Sequence, residues 1–143
     1  MTESNVALVE KMYDCFNRGD MDTLRNEVFA PDMVWRYNSR HPLGGTHRGV
    51  DQVLSFFEMI GRFFGQSTVE RIDTFGDDAV IEVHHYHGQT DSGAVVDGRN
   101  CIMHTIRDGK IIESQIFASD QYGLDNFAWA AYQLAPIPAR LGM

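Results

Sequence analysis

Two apolar runs joined by one tight turn constrain this chain most. Val95 to Arg107 and Lys110 to Ala118 flank Asp108-Gly109, and alternation along both runs predicts a β-hairpin. The second run leads through Ala118-Ser119 into Asp120 and then Gln121-Tyr122-Gly123. A carboxylate where an apolar strand ends has two readings. It is the N-cap of a following helix, or it is an acid/base group at the mouth of a pocket. A two-residue turn would pair His104 with Glu113, Ile102 with Gln115 and Asn100 with Phe117 on one face. Strict alternation then carries Asp120 to the opposite face, away from His104, unless a bulge near Ala118-Ser119 or the end of the strand intervenes.

The chain before the hairpin supplies helices and more strands. Ser4 or Asn5 can cap a first helix, along which Val6, Val9, Met12, Tyr13 and Phe16 recur at helical spacing. Gly19 suits its C-terminal turn, and Asp20 caps a short second helix carrying Leu24, Val28 and Phe29. Met33–Tyr37 reads as a strand, Asn38–Gly49 as a polar loop bordering a pocket, and Val50–Phe64 as a third helix with a wide apolar face. Val69–Phe75 and Ala79–His87 are further strands, and Leu124–Leu134 a last helix ended by Pro136 and Pro138. Helices segregated from a run of antiparallel strands predict one α+β domain over residues 1–143.

Charge and cysteine content exclude several roles. The 12 basic residues are outnumbered by 20 acidic ones and form no cluster, which argues against nucleic acid and against a polybasic membrane contact. No stretch approaches the roughly 20 apolar residues of a transmembrane helix, and the N-terminus does not read as a signal peptide. Cys15 and Cys101 fall inside a helix and a strand, so they are expected as buried free thiols in a cytoplasmic protein.

Four segments resemble a known family: Phe16–Leu24 (FNRGDMDTL), Phe29–Trp35 (FAPDMVW), Gly45–Phe57 (GTHRGVDQVLSFF), and Arg107–Ile111 followed by Ser119–Gly123 (RDGKI, SDQYG). The chain is similar to the nuclear transport factor 2-like cone, and within it to the SnoaL-like polyketide cyclases. The resemblance implies a curved antiparallel sheet and N-terminal helices enclosing an apolar pocket, with dimerisation through the sheet. It implies intramolecular aldol ring closure of a polyketide without metal or cofactor, with Asp120 as general acid/base. The family's histidine on the first hairpin strand falls near Ile102, and His104 is the nearest histidine. Ketosteroid isomerases share the fold, but their catalytic aspartate and tyrosine fall at Tyr37 and Met12. The Asp-Arg-Asp trio of limonene epoxide hydrolases finds only Asp120, because the Ala79–His87 strand offers His85 and His87 in place of Arg-x-Asp.

The resulting expectation is a cyclase or isomerase with Asp120, His104 and Tyr37 as catalytic candidates. Substrate-wall candidates are Trp35 and Asn38 around the first strand, and Phe56, Met59 and Ile60 on the third helix. His85, Asn100 and Phe117 join them from the later strands. His84, with Glu82 on its face, lacks a third nearby ligand for zinc, so no metal is expected. A broad cavity for a hydrophobic polycycle or polyene would follow, worked by acid/base chemistry or by holding reacting ends together. The alternatives are an epoxide hydrolase-like enzyme and a non-catalytic binding or assembly module. The module is favoured if Asp120 merely caps a helix in solvent and no cavity exists.

Overall fold

The computed structural model describes residues 2–41 and 43–131, with side chains described from residue 5 onward. Helix α1 (Thr2–Arg18) is followed by a short α2 (Met21–Thr23) and a π-helical turn, Leu24–Val28. Strands β1 (Phe29–Tyr37) and β2 (Gly45–Arg48), helix α3 (Val50–Gly61), strands β3 (Thr68–Phe75), β4 (Ala79–Gln89), β5 (Val95–Arg107) and β6 (Lys110–Ala118), and helix α4 (Gln121–Ala131) complete the order. The six strands form one sheet in the order β2-β1-β6-β5-β4-β3. β1 and β6 run parallel and all other neighbours antiparallel. The expected α+β cone is therefore present.

Local chemistry explains the boundaries. Asp20 accepts from the Thr23 N–H at 3.0 Å and the Thr23 hydroxyl at 2.7 Å, which starts α2. Gly19 closes α1 at φ +73°, and Asp108 and Gly109 take φ 52° and 75°, as the tight hairpin turn requires. β1 begins at Phe29, before the expected Met33, because Phe29 already pairs with Ile111. The irregularity that follows absorbs Pro31, which has no N–H to give. The loop expected over 38–49 contains β2, whose Gly45–Arg48 backbone bonds the edge of β1. α3 ends at Gly61 rather than Phe64. Phe63 and Phe64 leave the helix to pack with Tyr86 and Phe127, and Phe64 bridges Gly88. α4 starts three residues earlier than expected, and its expected end at Leu134 with Pro136 and Pro138 lies outside the described residues.

The inner face of the sheet is built by alternation: Met33, Trp35 and Tyr37 on β1, Val80, Glu82, His84 and Tyr86 on β4, and Ile102, His104 and Ile106 on β5 are all buried. Val9, Met12 and Tyr13 of α1 and Val53, Phe56 and Phe57 of α3 cover it. Fully burying each such side chain contributes about 1.5–3 kcal/mol. Cys15 is buried and Cys101 half-buried, and both are free thiols.

The hairpin register differs from the expected one. β6 slips by one residue between Thr105 and Ile106, so His104 faces Ser114, Ile102 faces Ile116 and Asn100 faces Ala118. The bulge sits beside the turn, where Asp78 accepts from the Ile106 N–H at 2.7 Å, and not near Ala118-Ser119. Ser114 and Ile116 are thereby brought inward, while Phe117 turns outward and stands 54% exposed.

Candidate active site

Inside the cone lie two adjoining chambers of about 70 Å³ each. Both are walled by Phe16, Phe56, Ile60, Ser67, His84, Asn100 and Ile116. Met12, Tyr13, Trp35, Phe57 and Ile102 complete the first, and Tyr37, Phe64, Tyr86 and Leu124 the second. An open cleft of about 580 Å³ between the C-terminal ends of α1 and α3 leads toward them, sharing Phe16, Phe57 and Phe64 with their walls. Cavities of roughly 150 Å³ hold one benzene-sized ring, so a single ring needs the two adjoining chambers together. Among the described residues the inner chambers are narrower than the broad pocket expected for a polycycle, with phenylalanines of α1 and α3 packed between helices and sheet.

One wall carries a buried polar chain. The Glu82 carboxylate, 1% exposed, lies 3.1 and 3.2 Å from His84 Nδ1, and the Tyr13 hydroxyl lies 2.8 Å from the same nitrogen. With Glu82 as the carboxylate acceptor, the hydrogen-bond network assigns the imidazole proton to His84 Nδ1. The Tyr13 hydroxyl also bonds Glu82, and burial holds its own proton well above the ordinary tyrosine range. With Nδ1 occupied, His84 Nε2 keeps its lone pair and has no hydrogen-bond partner among the described residues, on a ring that lines both chambers. This is the arrangement of an oriented general base.

Behind Glu82 stands His104, wholly buried. Its Nδ1 lies 2.7 Å from the Ser114 hydroxyl and its Nε2 is 3.9 Å from Glu82. Burial, with His84 adding to it, holds its pKa down to about 3, so the ring is neutral near pH 7. His104 Nδ1 and the Ser114 hydroxyl share one hydrogen bond, and Nε2 lies across from the carboxylate at a gap longer than a hydrogen bond. Among the described residues no group of three or more His, Cys, Asp and Glu side chains is arranged to hold a metal ion.

The residues singled out from sequence divide into those that line the chambers and those that do not. Trp35, Phe56, Ile60 and Asn100 line the chambers. Tyr37 lines the second, with its hydroxyl near His41 (3.2 Å) and Gln121 (3.4 Å), and burial pushes its pKa up to about 12. His104 lines neither chamber. Asn38 is exposed at the end of β1, and Met59 faces a shallow depression on the far side of α3 with Leu43 and His47. His85 points outward and pairs with Asp97 at 2.9 Å, an aspartate it shares with His87. Asp120 is exposed and accepts from the Gly123 N–H at 2.9 Å at the start of α4. Tyr13 is not among the site candidates read from sequence, and Glu82 and His84 enter there only as a metal pair that is set aside. Their signal was Glu82 and His84 alternating with Val80 and Tyr86, polar groups on a strand face that otherwise reads as core.

The chain belongs to the SnoaL-like domain family, whose model matches residues 9–114. Its sheet and helices form the nuclear transport factor 2-like fold. It is 30% identical over 131 residues to an uncharacterized protein of Mycobacterium tuberculosis (strain ATCC 25618 / H37Rv), covering 90% of this chain and 98% of that one. Bal32a, from a soil-derived mobile gene cassette, superposes with a TM-score of 0.83 at 27% identity, covering 88% and 97% of the two chains. A putative SnoaL-like polyketide cyclase from Jannaschia sp. CCS1 gives a TM-score of 0.73 at 22% identity, covering 90% and 94%.

Proposed function

We propose that this protein is a cofactor-independent cyclase or isomerase of the polyketide type, moving a proton on a compact carbonyl compound. The observation that carries the reading is the Tyr13–Glu82–His84 group at an apolar chamber, with His84 Nε2 free of any described partner. His84 Nε2 takes a proton alpha to a carbonyl. The C–H electron pair becomes the enolate double bond, and the carbonyl oxygen gains the charge. The imidazolium is stabilised by Glu82 beside Nδ1. In a ring closure the enolate carbon attacks a second carbonyl, and the imidazolium returns its proton to the new alkoxide. Apolar walls exclude water and hold the two reacting ends together. Asp120 is given no part in this step, because its carboxylate is taken by the Gly123 N–H and lines neither chamber. Its capping role meets one of the two conditions that would favour a pure binding module. The chambers leave the other unmet.

Heptane-2,6-dione tests the reading, because it exchanges alpha hydrogens and closes a six-membered ring by aldol chemistry. In deuterium oxide, proton NMR should show exchange and closure above the buffer rate with the native protein. His84→Gln should lose about a hundredfold of that acceleration, while Asp120→Asn keeps it. Loss in Asp120→Asn with retention in His84→Gln would overturn the assignment.

A further inference from the structure

Besides the Tyr86 hydroxyl, two buried polar groups on the chamber walls have no hydrogen-bond partner among the described residues. Trp35, 3% exposed, lines the first chamber, and its buried Nε1–H has no acceptor. Asn100 lines both chambers, and its buried Oδ1 has no donor. Buried groups of this kind are nearly always satisfied in native proteins, and the exceptions call for a missing partner. The other polar groups of the walls, Ser67, Tyr13, Tyr37, His84 and Tyr86, make no hydrogen bond to either atom, so a partner can come from what fills the chambers.

Register separates the two groups. Asn100 stands directly across from His84 on neighbouring strands, so base and amide share one end. Trp35 is level with Ser114 on β6, whereas Asn100 is level with Ala118, two strands away. Trp35 therefore serves the opposite end of the joined chambers, and the two groups meet different atoms of a ligand. We propose that the two chambers together are built for a single ring carrying oxygens at opposite ends. One oxygen is enolisable or phenolic and is held by His84 and Asn100; the other is an acceptor held by the Trp35 indole N–H. This rests on the proposed acid/base role of His84 and adds the substrate's shape and polarity to it. On binding, the hydroxyl proton passes to His84 Nε2, giving an imidazolium and an oxyanion. The Asn100 amide turns its NH₂ toward that oxyanion, an orientation set by whatever it meets.

4-Nitrophenol is the probe, since its hydroxyl and nitro oxygens lie at opposite ends of one ring and its absorbance reports ionisation. 4-Methylphenol lacks the second acceptor, and nitrobenzene lacks the hydroxyl. Calorimetric titration of the full chain should rank 4-nitrophenol about tenfold or more above each control, the size of a hydrogen bond to a charged partner. Trp35→Phe should abolish its advantage over 4-methylphenol, and Asn100→Leu its advantage over nitrobenzene. Because Trp35 is also a core residue, the wild-type ranking and Asn100→Leu test the proposal even if Trp35→Phe fails to fold. Equal binding of all three ligands by the native protein would overturn it, as would advantages unchanged in a folded variant. If the ranking holds but bound 4-nitrophenol keeps the absorbance of the neutral phenol, the two-ended site stands and the basic role of His84 fails.

Discussion

Asp120 is the residue on which the sequence offered two incompatible roles, and two substitutions separate them. Its carboxylate caps α4 through the Gly123 N–H at 2.9 Å, in an exposed position. Replacing a capping Asp by Ala costs about 1 kcal/mol, whereas Asn caps about as well as Asp. For a chain of this size 1 kcal/mol corresponds to about 3–4 °C in Tm. Asp120→Ala should therefore melt about 3–4 °C below the native protein and Asp120→Asn within about 1 °C of it. Scanning calorimetry gives the melting series. Exchange of heptane-2,6-dione in deuterium oxide, measured on the same samples, gives the chemistry. A cap predicts unchanged exchange in both variants. An acid/base catalyst predicts the opposite pattern, with exchange lost in Asp120→Asn while its stability is intact, and that result would refute the reasoning.

Three other outcomes follow from the packing and charges. His104, neutral in the fold with its pKa near 3 against an ordinary 6.5, binds its proton more readily when unfolded. Stability is thus full above about pH 6.5 and falls as pH drops toward 3, by up to about 1.4 kcal/mol per pH unit. Urea titrations from pH 7 to 4 should show His104→Gln with a shallower loss, and an unchanged slope would contradict the burial argument. Gly88→Ala should destabilise by about 1–3 kcal/mol, because a Cβ there would lie 3.0 Å from the Phe64 ring and 3.1 Å from Phe127. A denaturation midpoint equal to the native one would show that Phe64 yields freely. Asn17 ties α1 to the chain after α3, donating to the Ser67 carbonyl at 3.0 Å and accepting from its N–H at 2.9 Å. Asn17→Ala should cost about 1–3 kcal/mol and speed amide exchange at Ser67, read by hydrogen-exchange NMR.

Most of the fold was legible because its signals are local. Asp20, Asp108-Gly109 and the α1 stripe each fix their own surroundings through caps, positive φ and helical spacing. What escaped depended on partners distant in sequence. β2 has no apolar alternation of its own and exists because β1 offers it an edge. The slip at Thr105/Ile106 lies beside Asp78, in another turn, and it reassigns every β5–β6 pair beyond Ile106–Ile111. That slip moved Ser114 inward to His104 and Phe117 outward, so the candidate list inherited the wrong face at Phe117. The acid/base group was half visible. Glu82 and His84 showed as polar residues on a core face, but Tyr13 reads as one more apolar position in α1 until the helix is laid across β4.

The central claim is that His84 presents an unprotonated Nε2 to the chamber while its Nδ1–H is held by Glu82. Nitrogen-15 NMR of histidine-labelled protein near neutral pH reads this directly, with His84→Gln assigning the signal. Neutral His84 should show a pyridine-like Nε2 and a pyrrole-like Nδ1, with the Nε2 signal shifting when 4-nitrophenol binds. A pyrrole-like Nε2, with the lone pair on Nδ1, would put a donor where the proposed mechanism needs a base and would rule that mechanism out.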